Sequence, residues 1–256
     1  MYSEHPSFPQ PEDDTVKVWR YMDFTKFVSL LESRSLHFTR TDKFVDPFEG
    51  SYPKLNVLAR QFPPPGLPVE HHAAYVKAMT EDAPKMAKNM IKMVGLNCWH
   101  MNQHGSAAMW SLYLNNNNGV AIQSTYQKLR DCFLGVQENV FIGEVRYIDY
   151  ELGFIAGTSN AFDPFTYKRK SFEHEKEVRA AIVRAPPTVE GVGWDFAATT
   201  FTHGELIPVD LDLLVEQVYV APNSPEWFVN LVRSVIKRYE STFEVMHSQM
   251  DAGPLW

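Results

Sequence analysis

Residues 171–183 read SFEHEKEVRAAIV, a knot of acids and bases that runs directly into Val178, Arg179, Ala180, Ala181, Ile182 and Val183. The second half reads as a strand: it is apolar, β-branched at its end and stopped by Pro186-Pro187. Carried back through the acids, strand alternation puts Glu173, Glu175, Glu177 and Arg179 on one face and Val178, Ala180 and Ile182 on the other. Carboxylates at the mouth of a buried strand have two readings. One is a solvated strand entrance; the other is a carboxylate held in a cleft to do chemistry.

Outward from this strand, short strands and helices follow one another without regular βαβ succession. Val16–Tyr21 reads as a strand, Asp23 as the cap of a helix over 24–33 with Phe27, Leu30 and Leu31 at core spacing, and Ser35–Arg40 as a second strand. DKFVDPFEG (42–50) is a turn-rich loop whose acids fix the turn. QFPPPGLP (61–68) is a stiff connector to a helical stretch, 69–94, in which Met86, Met90 and Met93 read as packing. Strands are expected at 96–100, 119–125, 139–148 and 215–222, a helix follows Ser106, and a long helix spans 225–239. NNNNG (115–119) reads as a helix stop and turn. The order predicts an α+β fold with a mixed, largely antiparallel central sheet flanked by helices. Residues 1–15 are expected to be a flexible arm, 16–245 a single domain with a helical insertion at 61–95, and 246–256 a tail.

The bulk numbers bound the function. The chain has 256 residues, 45% of them hydrophobic, enough for a sizeable core. A net charge of −7 without a basic block argues against a dedicated nucleic-acid binder, although it leaves room for a local basic pocket. No apolar run is long enough to span a membrane, the first residues are polar and acidic, and two cysteines make no framework. A reduced, cytoplasmic protein is the expectation. The motifs G-x-S-x-G, G-x-G-x-x-G, H-E-x-x-H and the P-loop are all missing from the sequence. His100 and His104 stand four apart but precede a helix start, so no metal is expected.

Each remaining candidate has a plain reading beside a functional one. Arg20, between Trp19 and Tyr21, either lies flat on aromatics or aims its planar fork into a cleft. Ser106 caps a helix, or opens one whose free N–H groups favour an anion. Met109, Trp110 and Tyr113 share a helix face with it, as core or as a stacking wall. Cys98 and His100 share a strand face.

Three runs then assemble: WRYMDFTKFVSLLESRSLHFTRTDKFVDPFEG, CWHMNQHGSAAMWSLYLNNNNGVAI and YKRKSFEHEKEVRAAIV. Over almost all of residues 16–245 they resemble a widespread microbial domain-of-unknown-function family, with its D-P-F-E-G loop, S-x-x-M-W-x-x-Y helix and K-x-x-F-x-x-E-x-E-V-R strand, where Arg169 stands at the lysine position. The layout also resembles that of ADP-ribosyltransferases, which implies a fold of that kind. It further implies an NAD-consuming transferase or NAD glycohydrolase, with NAD as substrate. The resemblance places Arg20, Glu175 and Glu177 as catalytic residues and Ser106, Trp110, Tyr113, Tyr21 and Lys170 about the dinucleotide. One departure is that Ser106 stands alone at a helix start, where those enzymes often carry a Ser-Thr-Ser strand. The acceptor is a protein, a nucleic acid or water, and a toxin or defence role suits the resemblance. The alternative is a non-catalytic protein of the same fold that binds a nucleotide or partner.

Overall fold

Asp23 ends the first strand and starts the first helix. Its extended backbone lets Oδ1 accept the Lys26 N–H at 2.8 Å, which satisfies one of the open donors of the helix. Phe27, Leu30 and Leu31 then fall on the buried face, and Arg34 closes the helix in the left-handed region at φ 46°. Asp23→Ala is expected to lower stability by about 1 kcal/mol, read from the urea midpoint.

The computed structural model describes residues 1–113, 118–156, 160–186, 188, 195, 198 and 202–254. Its elements begin with β1 (Lys17–Asp23), α1 (Phe24–Ser33), β2 (Ser35–Arg40), α2 (Lys54–Ala59), α3 (His72–Lys77) and α4 (Ala83–Met90). Then come β3 (Val94–Met101), α5 (Ala107–Tyr113), β4 (Gly119–Thr125), α6 (Tyr126–Asp131), β5 (Phe141–Glu144) and β6 (Arg146–Ile148). The chain continues through β7 (Tyr167–Arg169), β8 (Glu177–Val183), β9 (Gly204–Pro208), α7 (Leu211–Leu214), β10 (Gln217–Val220), α8 (Glu226–Arg238) and β11 (Glu244–Met246). The fold is a mixed, largely antiparallel sheet flanked by helices, in which β10 and β11 run parallel. No described helix is long and apolar enough to cross a membrane. The turn expected at Asn115–Asn117 lies outside the described residues.

The sheet forks at β3. One wing is β11-β10-β4-β1 and the other is β5-β8-β3-β2-β9. Strands β1 and β2 both run antiparallel to β3 along the same edge. β1 meets its C-terminal end (Val18↔Met101, Trp19↔His100) and β2 its N-terminal end (Thr39↔Leu96, Arg40↔Gly95). Between these contacts Asn97–Trp99 have no strand partner on that edge. Instead, the Asn97 amide donates to the His37 carbonyl at 2.9 Å, and the Trp99 indole donates to Asn97 Oδ1 at 2.7 Å. Helix α1 spans the mouth of the fork. The largest core joins α1, α6, α7 and α8 to one face of both wings, through Val18, Phe27, Trp99, Ile122, Val178 and Val232 among others.

Two segments depart from expectation. Residues 1–15 are packed: Phe8 is only 2% exposed, Tyr2 bridges Val140, and the Phe8 and Phe141 rings stack at 5.8 Å. Gly143 makes room, since a Cβ there would lie 2.6 Å from the Phe8 backbone. An apolar anchor amid prolines and acids is enough to hold the segment down. Past residue 245, β11 reaches Met246, Ser248 is buried and Asp251 accepts the Asn223 N–H at 2.8 Å, so the described part of the tail is also ordered against the domain. The 61–95 stretch is helical over α3 and α4 and ends at β3. Of its methionines Met90 and Met93 are buried, whereas Met86 is exposed.

Candidate active site

The fork encloses a cavity of about 560 Å³. Arg20, Tyr21, His100, Tyr113, Glu175 and Glu177 line it, with Lys26 and His37 at the α1–β2 side. By register, Trp19, His100 and Glu177 project to one face of the sheet. Arg20, one residue on from Trp19, projects to the other. In an unbroken sheet Arg20 and Glu177 would be separated; because β1 and β3 diverge after Trp19, one cavity reaches both.

The Arg20 guanidinium makes no ion pair or hydrogen bond to any described residue, and its Nη1 is buried. Its central carbon lies 5.9 Å from the Trp99 ring centroid. Burial lowers its pKa, opposed weakly by Cys98 and Tyr113. An unpaired buried cation is costly, and the ring contact returns about 0.5–1 kcal/mol of that cost. Arg20 thus lies near an aromatic ring and lines the cavity, with no surface acid beside it among the described residues.

Opposite stands a buried charge cluster. Glu177 Oε1 accepts from Arg179 Nε at 2.5 Å, and Oε2 from Lys168 at 3.1 Å and Arg179 Nη2 at 3.3 Å. Lys168 also holds Glu175 at 2.5 Å, and Arg179 holds Glu49 at 2.8 Å. Three carboxylates face two cations, which leaves one negative charge over. Arg179 is fully buried, donating in addition to the Phe165 carbonyl at 2.9 Å.

Local geometry differs from the simple strand expectation. Residues Lys170–Glu175 form a 3₁₀ turn, Lys176 takes φ 40°, and β8 begins only at Glu177. Glu173 is thereby turned out to solvent, while Glu175 and Glu177 are brought to one lysine. Short β7 alternates so that Lys168 points inward. Lys170 starts the turn, is exposed and does not line the cavity, so the inward cation is Lys168.

Burial pushes Glu177 up, but Arg179 and Lys168 outweigh it and hold the carboxyl at about 2, below its ordinary 4.5. A depressed carboxyl contributes stability that is complete above the unfolded value and lost as pH falls from about 4.5 to about 2. The urea midpoint is expected to drop through that window, and to drop less in Glu177→Gln. Glu175 goes the other way: burial raises its pKa against the pull of Lys168. The Cys98 thiol is pushed well up by burial and by Glu177, so it is no thiolate nucleophile.

The remaining predicted residues divide. Tyr21 lines the cavity and its hydroxyl accepts the Ser106 N–H at 2.8 Å, which pins α5 to β1. Ser106 caps α5 through Met109 N–H at 3.4 Å. Trp110 is 5% exposed and packs edge-on to Tyr21 at 4.8 Å. Neither Ser106 nor Trp110 lines the cavity; they brace Tyr21 from behind, whereas Tyr113, about half exposed, is at the wall. Sequence reasoning left out Glu49, read as a turn acid, and His100, set aside with the metal question. An acid beside Gly50, whose φ is 71°, was the local signal for Glu49; its partner Arg179 is 130 residues away. Among the described residues no group of His, Cys, Asp or Glu is placed to hold a metal ion.

No family model matches the chain, and no curated protein matches it. Among solved structures it is similar to Thermus sp. 2.9 DarT in complex with NAD+, at 9% identity and TM-score 0.40, over 95% of this chain and 100% of that one. The same protein in complex with ADP-ribosylated ssDNA gives 9% and 0.40 over 96% and 99%; with carba-NAD+ it gives 10% and 0.37 over 94% and 98%.

Proposed function

We propose that the chain is an ADP-ribosyltransferase-like enzyme that consumes NAD, as a transferase or as a glycohydrolase. The observation that carries this reading is one cavity with an unpaired guanidinium on one wall and a carboxylate cluster of net negative charge on the other. Its volume of about 560 Å³ suits a nucleotide-sized ligand. Arg20 offers a planar donor set to the pyrophosphate. Tyr21 and Tyr113 bound the space for the nicotinamide ring.

Cleavage sends the bonding pair to the nicotinamide nitrogen and leaves positive charge on the ribose, an oxocarbenium-like state akin to that of glycoside hydrolysis. Glu177, kept ionised by Arg179 and Lys168, stabilises that charge from a site that need not reorganise. The acceptor forms the new bond to the ribose carbon and gives up a proton. Glu175 takes it: among the described residues only one of its oxygens is engaged, and burial raises its pKa. The rate is accordingly expected to rise with pH as Glu175 ionises. The acceptor, a protein, a nucleic acid or water, and a toxin or defence role in the cytoplasm belong to the same proposal.

The second reading, a non-catalytic nucleotide- or partner-binding protein, draws on the fact that both oxygens of Glu177 are already engaged. Nicotinamide release from NAD, with and without cell lysate, separates the two. Release by the wild type that Glu177→Gln abolishes supports the enzyme; NAD binding without release supports the second reading. A folded protein with neither overturns the enzyme, and leaves the second reading only a partner or a nucleotide other than NAD.

A further inference from the structure

His100 is 4% exposed and lines the cavity. Its Nδ1 lies 2.5 Å from the Glu175 carbonyl oxygen. A carbonyl can only accept, so Nδ1 carries the proton and, in the neutral ring, Nε2 is a bare acceptor. That Nε2 is buried and has no partner among the described residues. Burial lowers the ring's pKa, with Lys176 and His174 acting in the same direction, which favours the neutral form. Leaving a buried acceptor unmet is costly. Register pairs His100 directly with Glu177, so the two side chains are neighbours on one face.

We propose that His100 is a specificity-determining residue that accepts a hydrogen bond from a hydroxyl of the nicotinamide ribose. The inference rests on the NAD reading above: the sugar that Glu177 faces brings its hydroxyls to the adjacent Nε2. The Nδ1–H bond holds the ring in the one tautomer that can accept there. The same bond ties down the Glu175 turn, whose next carbonyl, that of Lys176, accepts the Met101 N–H at 2.8 Å. His100 thus has a structural half and a recognition half, on different nitrogens.

The two halves come apart by substitution. His100→Asn keeps an N–H near the position of Nδ1 and removes the acceptor; His100→Gln places an amide oxygen near the position of Nε2. Binding of NAD, and of NAD lacking the 2′- or the 3′-hydroxyl of the nicotinamide ribose, is measured by calorimetry alongside the urea midpoint. In the wild type, one deoxy analogue is expected to bind about tenfold more weakly than NAD. His100→Asn removes that preference at a nearly unchanged midpoint, and His100→Gln restores part of it. A preference that survives His100→Asn, or none in a wild type that binds NAD, overturns the assignment of His100 alone. A wild type that binds none of the three ligands overturns the NAD reading as well.

Discussion

Arg20→Met is expected to weaken NAD binding by about 10- to 100-fold, the range of one or two charge-assisted hydrogen bonds. The urea midpoint is expected to hold steady or rise. The two effects have opposite signs because the guanidinium has no counter-ion among the described residues. Its desolvation is offset only by a ring 5.9 Å away, and methionine keeps much of the volume without the charge. Such a residue weakens the free protein and strengthens the complex, a trade common at binding sites. If Arg20 instead serves the packing of Trp99, methionine lowers the unfolding free energy by about 1 kcal/mol or more, and NAD binding falls only in step with folding. Calorimetric titration and urea denaturation on the same two proteins decide between these results.

The reason Arg20 was readable while its geometry was not lies in the range of the interactions. Strand β1, helix α1 and strand β2 follow from local terms: a cap at Asp23, apolar positions three and four apart, alternation in SLHFTR. These terms say that Arg20 sits on a strand. They say nothing of where it stands relative to Glu177: the register through β3 turns the two to opposite faces, and the divergence of β1 from β3 after Trp19 lets one cavity reach both. That divergence depends on which strand reaches which end of β3, a non-local fact. The acids show the same limit. Alternation carried back through SFEHEKE fails at Lys176, a non-glycine residue in the left-handed region, where the sequence holds no glycine to announce a turn. The counter-charges came through in kind but not in position. The resemblance puts Lys170 at the site, and the phase of a three-residue strand turns Lys168 inward instead. Arg179 was placed with Glu177 because the two are a period-two pair inside a true strand, where the rule holds.

Arg179→Met is expected to cost about 3–5 kcal/mol, measured as the loss in unfolding free energy from urea curves. Arg179 is 0% exposed, and its side chain bonds to Glu177, Glu49 and the Phe165 carbonyl. Removing it strands two carboxylates that are 4% exposed, with Lys168 left to serve Glu49, Glu175 and Glu177. The pH dependence tells charge from packing. In the wild type, Glu177 is held at about 2, so lowering pH below about 4.5 costs stability. Without Arg179, burial dominates and the carboxyl binds its proton more tightly folded than unfolded. Its contribution then changes sign: the variant gains stability as pH falls through the carboxylate range and loses it as pH rises. A cavity left by a shortened side chain would lower the variant's curve by the same amount at every pH. Parallel curves for variant and wild type would therefore show that the cluster acts by shape. Convergence of the two at acid pH would show that the buried charges are in balance, which is the condition that the role proposed for Glu177 requires.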